Sequence, residues 1–214
     1  MSKISKIEAQ KNNSLRVNIY IDHEYALSCH LETLLKYNIG EGAEADGVKL
    51  RALLEEDNYL KCKNYALRII EKGPKSEAEM LDRLKKKGYD EDTSLRTLEF
   101  LKEYSFVDDE KLTGSYIRQR LKSEGTNKIK ALLYRKGIPE DIVKSSLCLI
   151  DEKMEEETAL NLACKKYNIL VRTESDNKKL YKKIGDYLMR RGYSYDVCKR
   201  VLKKVLEEWD NQDY

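Results

Sequence analysis

Basic side chains are the residues of this sequence whose type and clustering could do chemistry, namely the binding of anionic groups. Residues 111–147 carry nine bases against three acids, and residues 178–204 carry ten against two, whereas residues 89–110 carry eight acids against two bases. Because soluble helical proteins usually mix the two signs more evenly, this pattern indicates an anionic partner, either nucleic acid phosphates or an acidic protein surface. The alternative is a solvated face whose bases only offset helix dipoles. The candidate binding residues are Arg118, Arg120, Lys122, Lys128, Lys130, Arg135, Lys136, Lys182, Lys183, Arg190 and Arg191.

Motifs of catalysis and of cofactor or metal binding are missing from the sequence. There is no GxxxxGK phosphate-binding loop, no GxGxxG, no GxSxG and no HExxH. The acids Asp108, Asp109 and Glu110 could form a metal or acid–base site, but they fit better as the N-cap and acidic first turn of a helix. His23 and His30 have no partner at a useful spacing, so we expect surface roles for both. We therefore predict a protein that is not an enzyme and needs neither cofactor nor metal.

The cysteines and the hydropathy pattern indicate where the protein works. Its five cysteines are odd in number and widely spaced, and none forms a CxxC pair, so neither a zinc site nor a disulfide framework is expected. Reduced cysteines fit the cytosol. No stretch has the length and apolar character of a signal peptide or a membrane span. We expect a cytoplasmic monomer that does not contact membranes.

The elements that must position the basic residues form a tandem repeat. Three glycine-centred segments align without gaps: LKKKGYDED at 84–92, LYRKGIPED at 133–141 and LMRRGYSYD at 188–196. Apolar residues stand eight and four positions before each glycine, and one, ten and thirteen positions after it. This spacing predicts a helix with a buried stripe, a left-handed glycine cap and a second helix. With a preceding helix, each unit has three helices and a period near 50 residues.

The fold class predicted from these patterns is mainly α, an elongated tandem array of three three-helix repeats after a small antiparallel β-sheet. Alternating apolar residues between turn residues predict three strands within the first thirty residues. Short helices at 31–37 and 48–54 should cover the sheet. The expected first helices of the repeats lie at 58–72, 109–123 and 153–167. The expected domains are an N-terminal extension at 1–57 and repeats at 58–108, 109–152 and 153–214, with Tyr89 and Tyr193 in repeat cores.

The order of these motifs resembles the RecX family. FVDDE at 106–110 followed by SYIRQR at 115–120 resembles the opening of that family's second repeat, and the three glycine-centred segments resemble its repeat motifs. The strands with LLKYNIGEG at 34–42 resemble the extension of RecX proteins from low-GC Gram-positive bacteria. Two departures are Lys75-Ser76, where family members often have Arg-Ser, and Thr113-Gly114, where an alanine is usual. Glycine inside a helix weakens it by about 1 kcal/mol relative to alanine.

The resemblance implies a regulator, mainly an inhibitor, of the RecA recombinase in homologous recombination and DNA repair. Family members lie along the helical groove of RecA filaments on single-stranded DNA and suppress filament growth, ATP hydrolysis and strand exchange, and some also bind DNA. The expected partners are therefore the RecA filament and, in addition, single- or double-stranded DNA. The alternative function is that of a stand-alone DNA-binding protein without sequence specificity. The filament regulator is favoured because no helix carries the Asn, Gln and Arg cluster expected for base readout.

Overall fold

A computed structural model describes residues 2–210, and the side chains of this part up to residue 205. The fold is mainly α, with one three-stranded antiparallel sheet at the N-terminus followed by three repeats of three helices. The strands are β1 (Ile4–Gln10), β2 (Asn13–Ile21) and β3 (Glu24–His30). The helices are α1 (Leu31–Lys36), α2 (Gly47–Glu71), α3 (Glu77–Lys87), α4 (Glu91–Glu103), α5 (Asp109–Arg120), α6 (Thr126–Arg135), α7 (Glu140–Leu147), α8 (Glu152–Leu170), α9 (Asn177–Arg190) and α10 (Tyr195–Asp210).

The chain divides into two compact units that do not coincide with simple blocks of sequence. The first unit contains residues 1–74 and 80–106, and the second contains residues 75–79 and 107–214. Helix α3 therefore contributes its first turn to the second unit and its remaining turns to the first.

The predicted N-terminal sheet is confirmed. β2 lies between β1 and β3 and pairs with both in antiparallel register, with Ile7 opposite Ile19 and Val17 opposite Cys29. Because side chains alternate between the two faces of a strand, one face can be apolar and covered by helices. Its core consists of Ile4, Val17, Ile19, Cys29, Leu34 and Leu53, the last two supplied by α1 and α2.

The predicted glycine caps are also confirmed in all three repeats. Gly88, Gly137 and Gly192 have φ values of +96°, +72° and +89° and end α3, α6 and α9. In each repeat the amide after the glycine donates to the carbonyl of the leucine five residues earlier, as in a Schellman motif: Tyr89 to Leu84, Ile138 to Leu133 and Tyr193 to Leu188.

The apolar positions that define the repeat form its cores. The residues eight and four positions before each glycine are fully buried: Met80, Leu84, Ile129, Leu133, Ile184 and Leu188. Tyr193 is buried as predicted, at 1% exposure, but Tyr89 is only half-buried, so its predicted core position is wrong in part. In the second unit, α5, α6 and α7 enclose one apolar cluster and α8, α9 and α10 enclose another.

Helix α2 corrects the prediction of two short helices at 48–54 and 58–72. The sequence predicts a break between residues 54 and 58, but a single helix continues from Gly47 to Glu71. Within the predicted break, Asp57 is buried and accepts hydrogen bonds from Arg16 at 3.2 Å and from the His30 amide at 2.8 Å. Burial of a charged group is tolerated when it is paired and hydrogen-bonded in this way. The expected domain boundary at residue 57 accordingly falls inside a helix.

Candidate partner-binding surface

The basic residues predicted to bind a partner include those in the last turns of the glycine-capped helices. Two bases precede each of the two capping glycines of the second unit: Arg135 and Lys136 before Gly137, and Arg190 and Arg191 before Gly192. Cations in this position interact favourably with the helix dipole. The two positions have different environments, since the first base of each pair is exposed and the second is partly buried.

The second base of each pair contacts the start of an earlier helix. Arg191 donates from Nη1 to the carbonyl of Ser123 at 2.7 Å, just before α6. Lys136 pairs through Nζ with Glu79 at 2.9 Å, in the first turn of α3 that belongs to the second unit. Burial raises the pKa of Glu79, but the hydrogen bonds from Lys136 and the Ser76 amide outweigh it and hold that pKa below its ordinary value. Arg191 and Lys136 therefore each connect the end of one helix to an earlier part of the second unit.

The glycine turn of α9 packs directly against the N-terminus of α6. The Gly125 amide donates to the carbonyl of Arg191 at 2.9 Å, and the Asn127 amide donates to that of Gly192 at 3.1 Å. A Cβ on Gly192 would lie 2.3 Å from the Cβ of Lys128, closer than such atoms approach. Glycine is required here both for its positive φ and for the close approach.

The glycine turn of α6 has the same arrangement with the first turn of α3. The Ser76 hydroxyl donates to the carbonyl of Lys136, and a Cβ on Gly137 would lie 2.4 Å from the Cβ of Ala78. Ser76 and Glu79 also form the expected capping box, since the Glu79 amide donates to the Ser76 hydroxyl at 3.0 Å and the Ser76 amide donates to Glu79 at 3.1 Å.

A buried carboxylate accompanies each of these two contacts. Glu155 of α8 accepts a hydrogen bond from the Thr126 amide at 2.8 Å, at the start of α6. Asp109 of α5 accepts one from the Glu77 amide at 3.0 Å, at the start of α3. Both acids are buried, with exposed fractions of 5% for Asp109 and 8% for Glu155. The first amides of a helix have no acceptor within that helix. Each acid supplies such an acceptor to the start of a different helix.

Asp108 and Asp109 lie side by side at the start of α5, but they accept hydrogen bonds from different parts of the chain. Asp108 is the N-cap of α5 and accepts from the Lys111 amide at 2.8 Å, as predicted. Asp109 stands in the acidic first turn of α5, as predicted, and it also accepts a hydrogen bond from the amide of Glu77, more than thirty residues earlier, which the sequence did not predict. Among residues 2–210, limited to the described side chains, no group of three or more His, Cys, Asp or Glu could hold a metal ion.

Five of the eleven candidate bases are engaged within the protein. Glu124, itself buried, pairs with Arg120 at 3.3 Å and with Lys128 at 3.0 Å. Lys183 pairs with Glu174 at 2.9 Å. Together with Lys136 and Arg191, these residues stabilise the second unit and have less freedom to meet a partner.

The other six candidate bases lack an ion-pair or hydrogen-bond partner among the described residues. Lys130 is half-buried and its ammonium lies 5.8 Å from the ring centre of Tyr134. The remaining five are exposed: Arg118, Lys122, Arg135, Lys182 and Arg190. These six bases are the candidates whose charge is not paired with an acid of the described residues, and the binding role of all eleven stays a prediction.

Two features of the structure were not predicted from the sequence. One is the pair of buried acids, for which only an acid near the start of each first helix could have been a signal. The other is a groove in the first unit, lined by bases that the charge counts along the sequence had not singled out, Arg68 and Lys87 among them.

None of the helices, over the described part of the chain, is long and apolar enough to cross a membrane.

Models of known protein families match the chain in four consecutive segments. The Regulatory protein RecX N-terminal domain matches residues 2–46. The first, second and third three-helix domains of RecX match residues 62–101, 108–147 and 154–202. The chain belongs to the RecX family. The order of the matched domains is the order of the sheet and the three helical repeats described above.

Proteins named Regulatory protein RecX are similar over nearly the whole chain. Those of Clostridium perfringens strain SM101 and Clostridium tetani are each 45% identical over 96% of this chain and 97% and 95% of their own lengths. That of Clostridioides difficile is 36% identical over 98% of this chain and 100% of its own length. These names support a regulatory role for the RecX fold seen here.

Solved structures of RecX proteins have the same fold. One titled "Crystal structure of regulatory protein RecX" has a TM-score of 0.72 at 27% identity and covers 94% of this chain and 98% of its own. The structure of RecX from Lactobacillus salivarius has a TM-score of 0.64 at 25% identity and covers 70% of this chain and 97% of its own. The fold class predicted from the repeat pattern and the resemblance to the RecX family are thus both confirmed.

Proposed function

We propose that this protein regulates a RecA recombinase by binding in the groove of the RecA filament on single-stranded DNA, mainly as an inhibitor. It limits filament growth, ATP hydrolysis and strand exchange, and acts as a cytoplasmic monomer without catalysis of its own. The observation that carries the proposal is membership of the RecX family across all four of its domains.

The exposed bases of the second unit support a repeating partner. Arg135 and Arg190 stand two residues before the glycines of successive repeats, and both are exposed. A filament presents the same protein surface at regular intervals, so equivalent groups on successive repeats can each make an equivalent contact. Several weak contacts then add through effective concentration, and the whole protein binds more tightly than one repeat would.

The first test is a titration of RecA on single-stranded DNA, with ATP hydrolysis as the readout. We expect the hydrolysis rate to fall at amounts of this protein well below one per recombinase subunit. If hydrolysis is unaffected across a wide range of ratios, the proposed function is wrong. A gel-shift measurement without recombinase, repeated at rising salt, separates inhibition through the filament from simple competition for DNA, because phosphate binding weakens steeply with salt.

The second test examines the surface with a charge-reversed pair. Arg135→Glu with Arg190→Glu should raise the half-inhibitory concentration roughly tenfold, because two favourable interactions of up to about 1 kcal/mol each disappear or become repulsive. The matched control is Lys49→Glu with Lys86→Glu, two exposed bases of the first unit with the same total charge change. If both variants inhibit equally, Arg135 and Arg190 do not contact the filament, although the proposed regulation of RecA can still be correct.

A further inference from the structure

The glycine turn of α3 lies open, unlike those of α6 and α9. A Cβ placed on Gly137 or Gly192 would overlap Ala78 or Lys128, because a helix start covers each of those turns. A Cβ on Gly88 would meet nothing within 4 Å. The first repeat therefore presents to solvent the same turn that the other two repeats cover with protein.

A groove of about 570 Å³ lies beside this open turn, entirely within the first unit. Its walls are β2, the end of β3, α2, the last residue of α3 and the turn that follows α3. This volume lies in the range of about 300–1,000 Å³ that is typical of ligand sites. The charged and aromatic side chains that line it are Arg16, Lys61, Arg68, Lys87, Tyr65 and Tyr89.

The groove carries a clear excess of positive charge. Four bases and one acid, Asp57, line it. The Asp57 carboxylate is already engaged, since it lies 3.2 Å from Arg16 Nη1 and 2.7 Å from Lys61 Nζ and also accepts from the His30 amide. Arg68 and Lys87 have no ion-pair or hydrogen-bond partner in residues 2–210, counting the described side chains. Two cationic groups thus remain available for an anion.

Two tyrosines give the groove aromatic faces next to these cations. The rings of Tyr65 and Tyr89 lie 6.1 Å apart between their centres, at an angle of 40°. The Lys87 ammonium lies 5.7 Å from the centre of the Tyr65 ring. Both tyrosines are half-buried, and the amide side chain of Asn64 also lines the groove. Aromatic faces beside a basic track are the combination by which proteins bind single strands without sequence preference.

We propose that this groove is a binding site for single-stranded nucleic acid, in which Arg68 and Lys87 contact phosphates and the tyrosines stack against bases. Charge complementarity favours a polyanion. The aromatic faces favour unpaired bases over an acidic peptide, whose carboxylate side chains have no aromatic ring to stack, and over a duplex, whose bases are already stacked. The proposal does not rest on the regulator function, because the groove and its chemistry belong to the first unit alone.

The test is a fluorescence anisotropy titration of the full chain, without recombinase, against a fluorescein-labelled oligo(dT). Lys87→Glu should weaken binding and reduce the slope of log affinity against log salt by about 0.7 for each phosphate that the variant no longer neutralises. The matched control is Lys86→Glu, because Lys86 is the adjacent base, is exposed and does not line the groove. Tyr89→Ala should weaken binding roughly fivefold to a hundredfold, whereas Tyr89→Phe, which keeps the ring, should not.

A second measurement locates the strand on the protein. An oligonucleotide carrying 4-thiothymidine should, on irradiation, crosslink to peptides that contain Tyr65 or Tyr89. Crosslinks confined to the second unit would overturn the proposal, and so would equal weakening by Lys86→Glu and Lys87→Glu. Equal competition by polyglutamate or by duplex DNA would also overturn it. Inhibition of ATP hydrolysis can survive any of these outcomes, so failure of the groove and failure of the proposed function are distinguishable.

Discussion

The contact between the glycine turn of α9 and the start of α6 can be tested by adding a single methyl group. Gly192→Ala places a Cβ where the backbone nitrogen and Cβ of Lys128 lie at 2.5 and 2.3 Å. Because a backbone atom is involved, a rotation of the lysine side chain cannot relieve the overlap. Gly88→Ala is the matched control, since its φ of +96° is close to the +89° of Gly192 but its added Cβ meets nothing within 4 Å.

Gly192→Ala and Gly88→Ala both place alanine in a left-handed backbone conformation, but only Gly192→Ala also creates a steric overlap. A left-handed backbone costs a non-glycine residue about 1–2 kcal/mol, which applies to both. Overpacking adds about 1–3 kcal/mol where a new group meets packed atoms, and this applies only to Gly192→Ala. We therefore expect the free energy of unfolding to fall by about 2–5 kcal/mol for Gly192→Ala and by about 1–2 kcal/mol for Gly88→Ala.

Urea denaturation followed by circular dichroism measures the two decreases in stability, and amide hydrogen exchange locates them. Gly192→Ala should speed exchange at the amides of Gly125 and Asn127, which donate across the contact, while Gly88→Ala should leave both unchanged. If the two variants are destabilised equally, or if these two amides remain protected in Gly192→Ala, the contact is not packed as described.

Three further predictions concern the buried acid of α8, the buried acid of α2 and the thiols. Glu155→Ala should destabilise the second unit by about 1–3 kcal/mol, because the Thr126 amide loses its acceptor; Glu155→Gln, which keeps an acceptor, should be less destabilised in urea denaturation. Burial raises the pKa of Asp57, but two bases and an amide outweigh it and hold that pKa below 3.8. Its contribution to stability should thus be complete above pH 3.8 and be lost as pH falls through the lowered value, so Asp57→Asn should flatten the acid limb of a stability profile. Iodoacetamide at about pH 8 should label exposed Cys148 first and Cys29 last by mass spectrometry, since burial raises the pKa of Cys29 to about 11.

The repeat could be predicted from the sequence because its signals are local. A glycine cap, a leucine four residues earlier and an apolar residue after it all lie within one helix end. Gly88, Gly137 and Gly192 repeat that pattern with little variation. The same holds for the N-terminal strands, whose alternation is visible in a few residues.

The fate of individual charges could not be predicted because it depends on contacts distant in sequence. Arg190 and Arg191 are adjacent in the same helix end, yet one is exposed and the other donates to Ser123, 68 residues away. Asp57 lies where the sequence predicts a break between two helices, and its hydrogen bonds from Arg16 and the His30 amide come from residues far away in the sequence. Charge counts along a chain predict that a basic surface exists and leave open which bases hold the fold and which remain free.

The carboxylates of Asp109 and Glu155 give the repeats a polarity. Each repeat that follows another has an acid on its first helix and a glycine turn on its second, which together accept the start of the preceding repeat's second helix. The two surfaces of a repeat that make these contacts are therefore different but complementary. A copy of the second repeat inserted after itself should therefore meet a matching neighbour on both sides, so duplication of a segment of about 50 residues can add a module whose acid and glycine turn accept the helix start before it.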